Sequence, residues 1–467
     1  MKRLNDLGHD PVPRLVLRLA IPTMLAQLVN VLYSIVDRMY IGAGVGSLAL
    51  AGVGVCGPIV TLLSSVSSLV GLGGSPLLAM RMGANRKKEA QQILNNCFFL
   101  LLVLSLVLTV LFLASKERLL MWFGASQATF GYANTYLTIY AAGTFFALMS
   151  AGMNSFLIAQ GFSGLGMATV ILGAVLNIVL DPILIFAFHM GVAGAAAATV
   201  ISQMASCALV LLSLYHKKMP VRLGWGGFHW PVIRQIVSFG FSPFLIIASD
   251  SILLIALNTV LQKYGGPKEG DILITCATIV QSYLLLITMP LGGITLGSQP
   301  VVSFNYGAGN VPRIKQAFFW IVGLCIAFCT FMTVITQIFS PFYVALFTKD
   351  PEILSRSVRY IKWFTAMVIP LAVQYPLVDE TTALGQVRLA LFCSIFRKTL
   401  FLASLLLLPA LFSAEATFFS EPVADLAAAT VTTTLFLHAF PRIMAKRMQN
   451  IRQGGCMTII TAPPMHR

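Results

Sequence analysis

The chain alternates long apolar runs with short polar connections along almost its whole length. Each run can cross the hydrocarbon core of a bilayer, which takes about 20 apolar residues in a helix. Because lipid offers the backbone no hydrogen-bond partners, such runs predict helices. The pattern predicts twelve membrane spans, at residues 15–40, 48–80, 93–115, 131–159, 164–188, 190–215, 233–262, 272–300, 316–341, 356–384, 388–412 and 421–444.

The twelve runs form two sets of six that resemble each other. Short stretches recur in the same order in both sets, which indicates an internal repeat. An even number of spans per repeat gives both halves the same orientation, and transporters of this build place the substrate path between the halves. The matched stretches are Pro22 with Pro243, Ser75–Ala84 with Gln299–Ala308, Tyr136 with Tyr360, Ala159–Gly161 with Ala383–Gly385, and Ala196–Val200 with Ala427–Val431.

These observations predict an all-α integral membrane protein made of two six-helix bundles. We expect it to act as a monomer in the lipid bilayer. The predicted segments are a cytoplasmic N-terminus at 1–14, an N-terminal bundle at 15–215, a cytoplasmic linker at 216–232, a C-terminal bundle at 233–444 and a cytoplasmic tail at 445–467.

The charges agree with this organisation. The chain is 57% hydrophobic and only 10% charged, with a net charge of +15. A soluble domain usually carries about 25% charged residues. Lys and Arg concentrate in the N-terminus, the central linker, the tail and the loops on that same side, which indicates the cytoplasmic face of a plasma-membrane protein. No separate basic domain exists, so we expect no nucleic-acid partner.

Two acidic residues of the first half lie inside predicted spans. Asp37 is in the first span, and Asp181 is in the fifth, where Asn177 shares its helix face one turn earlier. An ionisable residue inside the membrane is costly and is therefore a functional candidate. Two carboxylates held close in a weakly polar medium take up a proton or a cation. The alternative is that Asp37 pairs with Arg38 and that Asp181 caps a helix break at Pro182.

The second half carries other charges in its spans. The positions that match Asp37 and Asp181 are Asn258 and Leu408, so the acidic pair is absent there. Asp250, Asp379 and Glu380 are candidates for a substrate cavity. For the last two, we favour a structural pairing with Arg397 and Lys398 across the bundle.

The fourth span is dense in methionine and aromatic residues. Most of them should pack in the protein or face lipid. We expect a minority to line an adaptable apolar cavity, and the candidates are Met149, Met153 and Phe156.

Five stretches together resemble the multidrug and toxic compound extrusion (MATE) family, and the resemblance covers nearly all of residues 10–450. It implies two six-helix bundles that form a V around a central cavity. It also implies export of lipophilic cationic drugs and dyes in exchange for protons or sodium ions. The stretches are Val36–Gly42, Asn177–Pro182, Ala195–Val200, Gln299–Ala308 and Glu421–Asp425.

The resemblance also implies a coupling site in the N-terminal bundle. By motif match, its residues are Asp37, Asn177, Asp181 and Thr199, which would also be the ligands of a sodium ion, with Tyr136 nearby and with Pro22 at a bend of the first helix. Asp250 is about one residue out of step with the coupling acid of another subgroup. Asp379 and Glu380 stand where relatives carry small or amide residues. The tail from Gly454 to Arg467 matches nothing in the family, and we expect it to be disordered.

Several functions compete at this stage. We favour a secondary active antiporter for cationic organic compounds. The alternative is a flippase for a lipid-linked saccharide, which needs basic cavity residues such as Arg397 and Lys398 to bind a pyrophosphate. An enzyme is not expected, because no HExxH or GxSxG motif and no cluster of histidines is present. The eight cysteines show no metal-binding spacing, so we expect no cofactor and no metal other than the sodium ion.

Overall fold

The computed structural model describes residues 5–226 and 228–452. Within these ranges the chain is helical apart from short connections. Ten helices are long and apolar enough to cross a membrane, and two bent pairs of shorter helices meet the same test, which gives twelve spans when each pair counts once. The predicted all-α membrane fold is thereby confirmed. The expected disorder after Gly454 lies outside the described residues.

Spans 1 to 6 form the N-terminal bundle. Span 2 contains a short break at Cys56, between the helices Ser47–Val55 and Gly57–Gly83. The helix of span 1 continues to Gly44. The six spans are Val12–Gly42, Leu48–Gly83, Lys87–Trp122, the bent pair Gln127–Ala142 and Thr144–Ala159, Ser163–Ala187, and Val192–Tyr215.

Spans 7 to 12 form the C-terminal bundle. Spans 7 and 8 meet at Gly266, whose φ of 71° is a conformation that favours glycine. Span 12 begins with the 3-10 turn Ala414–Phe419 and continues as the helix Ser420–Arg452. The six spans are Trp230–Gly266, Glu269–Ala308, Val311–Ala345, the bent pair Pro351–Phe364 and Val368–Ala383, Val387–Leu411, and Ala414–Asn450.

Spans 4 and 10 are bent where the apolar pattern predicted continuous helices. Span 4 turns by 57° at Gly143, and span 10 turns by 49° between Phe364 and Val368. At both places the backbone leaves the helical ladder, because Gly143 and Thr365 end one helix and a second helix starts within three residues. The two breaks occupy matching positions in the two halves, as the internal repeat requires.

Each half has its own hydrophobic core, and the first helix of each half begins in the core of the other. Val12 to Ala20 of span 1 pack with the C-terminal core. Ile236 and Phe239 of span 7 pack with the N-terminal core. The two bundles therefore exchange the starts of their first spans.

Glycines allow the bundles to approach closely on the side that carries the N-terminus. A methyl group added at Gly73 or Gly240 would meet the backbone of the facing helix, and the same holds for Gly83 and Gly307 at the ends of spans 2 and 8. The chain before span 1 lies across the same side. Asn5 donates to the carbonyl of Gly161 at 2.8 Å, and Arg313 donates to the carbonyl of Asp10 at 2.7 Å. The bundles are joined there, which corresponds to the closed end of the V.

Candidate functional site

Spans 1 and 5 bring two acidic side chains together. The carboxyl groups of Asp37 and Asp181 lie within hydrogen-bonding range of each other. Asp181 is 0% exposed and Asp37 is half-buried. Asp37 Oδ1 and Asp181 Oδ2 receive no hydrogen bond from a donor in the described part of the chain. Two such oxygens can face each other at low cost only when a proton or a cation lies between them.

An amide and a hydroxyl complete the group. Asn177 Nδ2 donates to Asp181 Oδ1 at 3.3 Å and to Thr199 Oγ1 at 3.5 Å. The Thr199 hydroxyl in turn donates to the carbonyl of Ala195 at 3.0 Å. Asn177 Oδ1 has no donor among the described residues. The cluster therefore has more oxygen acceptors than donors, which suits a proton or one small cation.

Tyrosines border the acidic pair. Tyr136 of span 4 lies beside Asp37, and it stacks on Tyr140 with ring centroids 5.8 Å apart. The Tyr140 hydroxyl accepts a hydrogen bond from Gln203 of span 6 at 3.5 Å. Tyr33, one turn before Asp37, lies close to both acids. The sequence reasoning missed Tyr33 although its spacing from Asp37 places the two on one helix face. It missed Tyr140 and Gln203 because only the fold brings them to the site.

A second contact between spans 1 and 5 lies at the carbonyl of Arg18, which Pro22 leaves without its helical hydrogen bond. The helix Val12–Gly44 runs through Pro22 without interruption. Pro22 has no N–H for the carbonyl of Arg18, four residues earlier. Ser163, at the start of span 5, donates its hydroxyl to that carbonyl at 3.2 Å. Spans 1 and 5 are thus linked near the start of span 1 as well as at the two acids. The bend of span 1 at Pro22 stays a prediction.

Pro182 opens the backbone directly after Asp181. The α-helix of span 5 ends at Pro182, and a π-helical turn follows at Ile183–Ala187. A proline inside a helix removes one hydrogen bond of the ladder, and π-turns often occur at functional sites. The hydrogen-bonding pattern of span 5 therefore changes directly after one of the two acids.

The pairing predicted for the C-terminal acids is wrong. Arg397 Nε donates to Asp425 Oδ1 of span 12 at 2.7 Å, and its Nη2 pairs with Glu421. Lys398 pairs with Asp250 of span 7 at 2.6 Å. Span 11 turns these two cations towards spans 12 and 7 rather than towards span 10. Helix rotation of this kind is invisible in an apolar run, because lipid-facing and protein-facing positions are both apolar.

The acids of span 10 have other surroundings. Asp379 Oδ2 accepts a hydrogen bond from Thr295 of span 8 at 2.6 Å. Glu380 is 0% exposed, and both of its carboxyl oxygens have no hydrogen-bond partner within the described ranges. Glu380 therefore lines no cavity in this conformation, which corrects the expectation from the sequence. Asp250, whose side chain is 63% exposed, is accessible.

The candidates of span 4 do not line a cavity either. Met149, Met153 and Phe156 are 0% exposed and belong to the N-terminal hydrophobic core. The ring of Phe156 packs over Gly74 of span 2, where even a methyl group would not fit. Span 4 directs these residues into the bundle because its second helix packs against spans 2 and 3. In this conformation the three residues are core residues and line no cavity, contrary to the expectation from the sequence.

The whole-chain comparison agrees with the geometry. The family model of MatE transporters matches residues 22–183 and 247–406, one stretch in each bundle. The chain belongs to the MatE family. The first stretch contains Asp37 and Asp181, and the second contains Asp250, Asp379 and Arg397.

Curated relatives of this MatE protein include multidrug export proteins. It is 24% identical over 429 residues to the multidrug export protein MepA of Staphylococcus haemolyticus, an alignment that covers 91% of this chain and 93% of MepA. It is 23% identical over 429 residues to MepA of Staphylococcus aureus strain NCTC 8325, with the same coverage. The chain is thus similar to these proteins along nearly their whole length.

Solved structures show the same MatE fold. The outward-facing conformation of a multidrug resistance MATE family transporter of the MOP superfamily matches with a TM-score of 0.88, at 23% identity over 95% of this chain and 99% of that one. A MATE in complex with MaL6 matches with a TM-score of 0.87, at 23% identity over 94% and 98% of the two chains. A MOP superfamily transporter from Pyrococcus furiosus matches with a TM-score of 0.88 at 23% identity. At this identity the likeness shows the fold alone.

In the part of the chain that the structure describes, no three His, Cys, Asp or Glu side chains of this MatE protein are grouped as metal ligands would be. The oxygens grouped at the acidic pair belong to Asp37, Asp181, Asn177 and Thr199. Such a set can bind a proton or a small cation.

Proposed function

We propose that this MatE transporter is a secondary antiporter that exports lipophilic, cationic organic compounds in exchange for protons or sodium ions. The observation that carries the proposal is the carboxyl pair of Asp37 and Asp181, which lie within hydrogen-bonding range of each other and each keep one oxygen without a donor among the described residues. A proton or a cation stabilises such a pair, and so does the positive charge of a substrate. The relatives named as multidrug export proteins support the export of drugs.

Span 1 connects the coupling site to the contact between the bundles. Its first residues pack in the C-terminal core, whereas Asp37, further along, meets Asp181 of the N-terminal bundle. Binding of an ion between the two carboxyls removes their repulsion and favours close packing of spans 1 and 5. Loss of the ion favours their separation. Because span 1 belongs to both bundles, either event shifts the bundles relative to each other, and this shift would expose the substrate to opposite sides in turn.

The distribution of Lys and Arg supports an orientation in the plasma membrane with both termini in the cytoplasm. The closed end of the V, which carries the N-terminus, would then face the cytoplasm, and the V would open to the outside. A tag at each terminus should resist protease added to intact cells and be cleaved after the membrane is broken. Cleavage in intact cells would contradict this orientation.

Efflux from vesicles tests the antiport directly. Purified protein is reconstituted with a fluorescent organic cation, and a proton gradient or a sodium gradient is imposed alone. We expect efflux under one of the two gradients, and we expect Asp37→Asn to reduce it to the level of protein-free vesicles. The matched control is Asp271→Asn, because Asp271 is an exposed acid at the start of span 8. Full efflux by Asp37→Asn would contradict coupling through the acidic pair.

The saccharide flippase receives less support from the geometry. It depends on Arg397 and Lys398 to bind a pyrophosphate, but both side chains are engaged by the acids of spans 7 and 12. A cation that is already paired with a carboxylate attracts a second anion weakly. Movement of a lipid-linked saccharide by reconstituted protein, with no cation efflux under either gradient, would reverse this preference.

A further inference from the structure

Glu380 is a buried carboxyl group that the coupling site in the other bundle does not use. Its side chain is 0% exposed, and neither carboxyl oxygen has a hydrogen-bond partner among the described residues. Ser298 lies beside it but donates its one hydroxyl proton to the carbonyl of Ile294, at 2.6 Å. An ionised carboxylate in such a place is strongly disfavoured, whereas a protonated carboxyl group is tolerated.

Among the residues that the structure describes, the charged groups around span 10 provide no counter-ion for Glu380. From span 9 the facing titratable group is Cys325, which lies near both Glu380 and Asp379. From spans 11 and 12 the charged groups are Arg397, which is bound to Glu421 and Asp425, and Lys398, which is bound to Asp250 of span 7. Span 8 contributes Thr295 and Ser298, which are uncharged, and span 10 itself contributes Asp379 and Tyr375, one turn apart.

Asp379 is the more exposed of the two acids of span 10. It is half-buried, whereas Glu380 is enclosed. Thr295 Oγ1 lies 2.6 Å from Asp379 Oδ2 and 3.0 Å from the carbonyl of Gly292. When Asp379 is ionised, the Thr295 hydroxyl donates its hydrogen bond to the carboxylate. When Asp379 is protonated, the Thr295 hydroxyl donates to the carbonyl of Gly292 and accepts a hydrogen bond from Asp379. The contact between Asp379 and Thr295 therefore persists in both protonation states.

Span 8 links these acids to the first span. Its residues Thr295 and Ser298 face the acids of span 10, while Gly293 and Gly297 pack against Met24 and Thr23 of span 1. A change of charge at Asp379 or Glu380 therefore acts on span 8, and span 8 contacts span 1, which contains Asp37. The C-terminal acids are one helix away from the element on which the proposed coupling depends.

We propose that Glu380 is a second proton-binding site of this transporter, which holds a proton in the conformation described here and releases it to water in another state of the cycle. The proton leaves the carboxyl group and Glu380 becomes a carboxylate. Asp379, its half-buried neighbour, is the positioning group past which water would reach Glu380 in that state. The proposal adds a site to the proposed antiport, and only its effect on the number of transported protons rests on that function.

Infrared difference spectroscopy of the purified protein tests the site without transport. A protonated carboxyl group gives a C=O stretching band that a carboxylate lacks. We expect Glu380→Gln to remove one such band, and we expect the band of the unmodified protein to change on a step to alkaline pH and on addition of a fluorescent organic cation. The matched control is Glu352→Gln in the first helix of the same span, because Glu352 is exposed and paired with Arg356. This control should leave the band in place.

Two results would overturn the proposal. An identical spectrum for Glu380→Gln would show that Glu380 is ionised in this conformation. A band that is lost in Glu380→Gln but never responds to pH or to the cation would show a permanent, structural proton. If Glu380→Gln does not fold, labelling of the glutamate carboxyls with 13C in the unmodified protein shows whether the band that responds to pH and to the cation belongs to a glutamate; a responsive band that the label does not shift would contradict the proposal.

The two proposals fail separately. The pH step is repeated in Asp37→Asn, where the Glu380 band should still respond, because the response needs no coupling at the N-terminal acids. In vesicles, Glu380→Gln should lower the number of protons exchanged per substrate by one if protons drive the antiport. An unchanged ratio together with a responsive band would mean that the proton is released outside the transport cycle, and this outcome also contradicts the proposal.

Discussion

Both bundles carry acidic side chains between corresponding helices, but these acids form ion pairs in only one of the two bundles. Spans 1 and 5 of the first half correspond to spans 7 and 11 of the second half. Between spans 1 and 5, Asp37 and Asp181 lie close to each other. Arg38 lies near Asp37, but no described residue forms an ion pair with either acid or donates to their open oxygens. Between spans 7 and 11, Asp250 is paired with Lys398, and the neighbouring Arg397 is paired with two acids of span 12.

This difference distinguishes acids that can exchange a proton or an ion with solution from acids that stabilise the fold. An acid with a permanent cation partner does not bind a proton or a sodium ion. It can therefore stabilise the bundle, but it cannot couple transport to an ion gradient. An acid without such a partner depends on what solution supplies. The N-terminal pair is of the second kind. Glu380, which stands apart from the ion pairs of its own bundle, is of the second kind as well.

The largest effect should come from Asp181→Asn. We expect loss of coupled efflux to the level of protein-free vesicles, because one ionisable member of the pair is gone. We expect little change in stability, because Asn177 can still hydrogen-bond to the new amide oxygen and the repulsion is removed. Efflux and the thermal unfolding midpoint are measured on the same preparation. A large drop in the midpoint would mean that Asp181 serves the fold rather than transport.

Arg397→Met should mainly lower the stability of the protein, in contrast to Asp181→Asn, which should mainly abolish efflux. Asp425, with a side chain that is 1% exposed, and Glu421, at 10%, would lose their shared cation. Breaking a buried ion pair by removing one partner costs about 3–5 kcal/mol. We expect a clear fall of the unfolding midpoint in detergent, with partial recovery when Asp425→Asn is added. The control is Arg359→Met, because Arg359 is exposed. Equal midpoints for the two arginine variants would contradict a structural role of the buried network.

The sequence predicted the helices well and the side-chain partners poorly. Apolar length and the repeat gave the twelve spans, and the i, i+4 spacing placed Asn177 beside Asp181. The bends of spans 4 and 10 were missed, because a run that turns by 57° stays apolar throughout. The partners of Arg397 and the burial of Met149 were missed for one reason, namely that the rotation of a helix in lipid leaves no polar face to read.

Lys398→Met is a milder counterpart of the change at its neighbour. Asp250, which would lose its partner, is 63% exposed, whereas Lys398 is 13% exposed, so the pair is only half-buried. Exposed ion pairs contribute about 0–1 kcal/mol, and a half-buried pair lies between that value and the cost of breaking a buried one. We expect the unfolding midpoint of Lys398→Met to fall far less than that of Arg397→Met, although the two residues are adjacent in the chain. A loss as large as that of the arginine variant would show that Asp250 does not reach water in the membrane.

Thr199→Val should give the smallest effect and the sharpest information on the coupling ion. Valine keeps the shape and removes the hydroxyl that accepts from Asn177 at 3.5 Å. The contact is at the long limit of a hydrogen bond, so its loss should cost about 0.5 kcal/mol in stability. A proton needs only the carboxyls of Asp37 and Asp181, whereas a sodium ion gains from every oxygen ligand. Efflux driven by protons should therefore survive in Thr199→Val, and efflux driven by sodium should require a higher sodium concentration. If sodium drives the transporter and its concentration dependence is unchanged in this variant, Thr199 is not a ligand of the ion, and the site reduces to the two acids and Asn177.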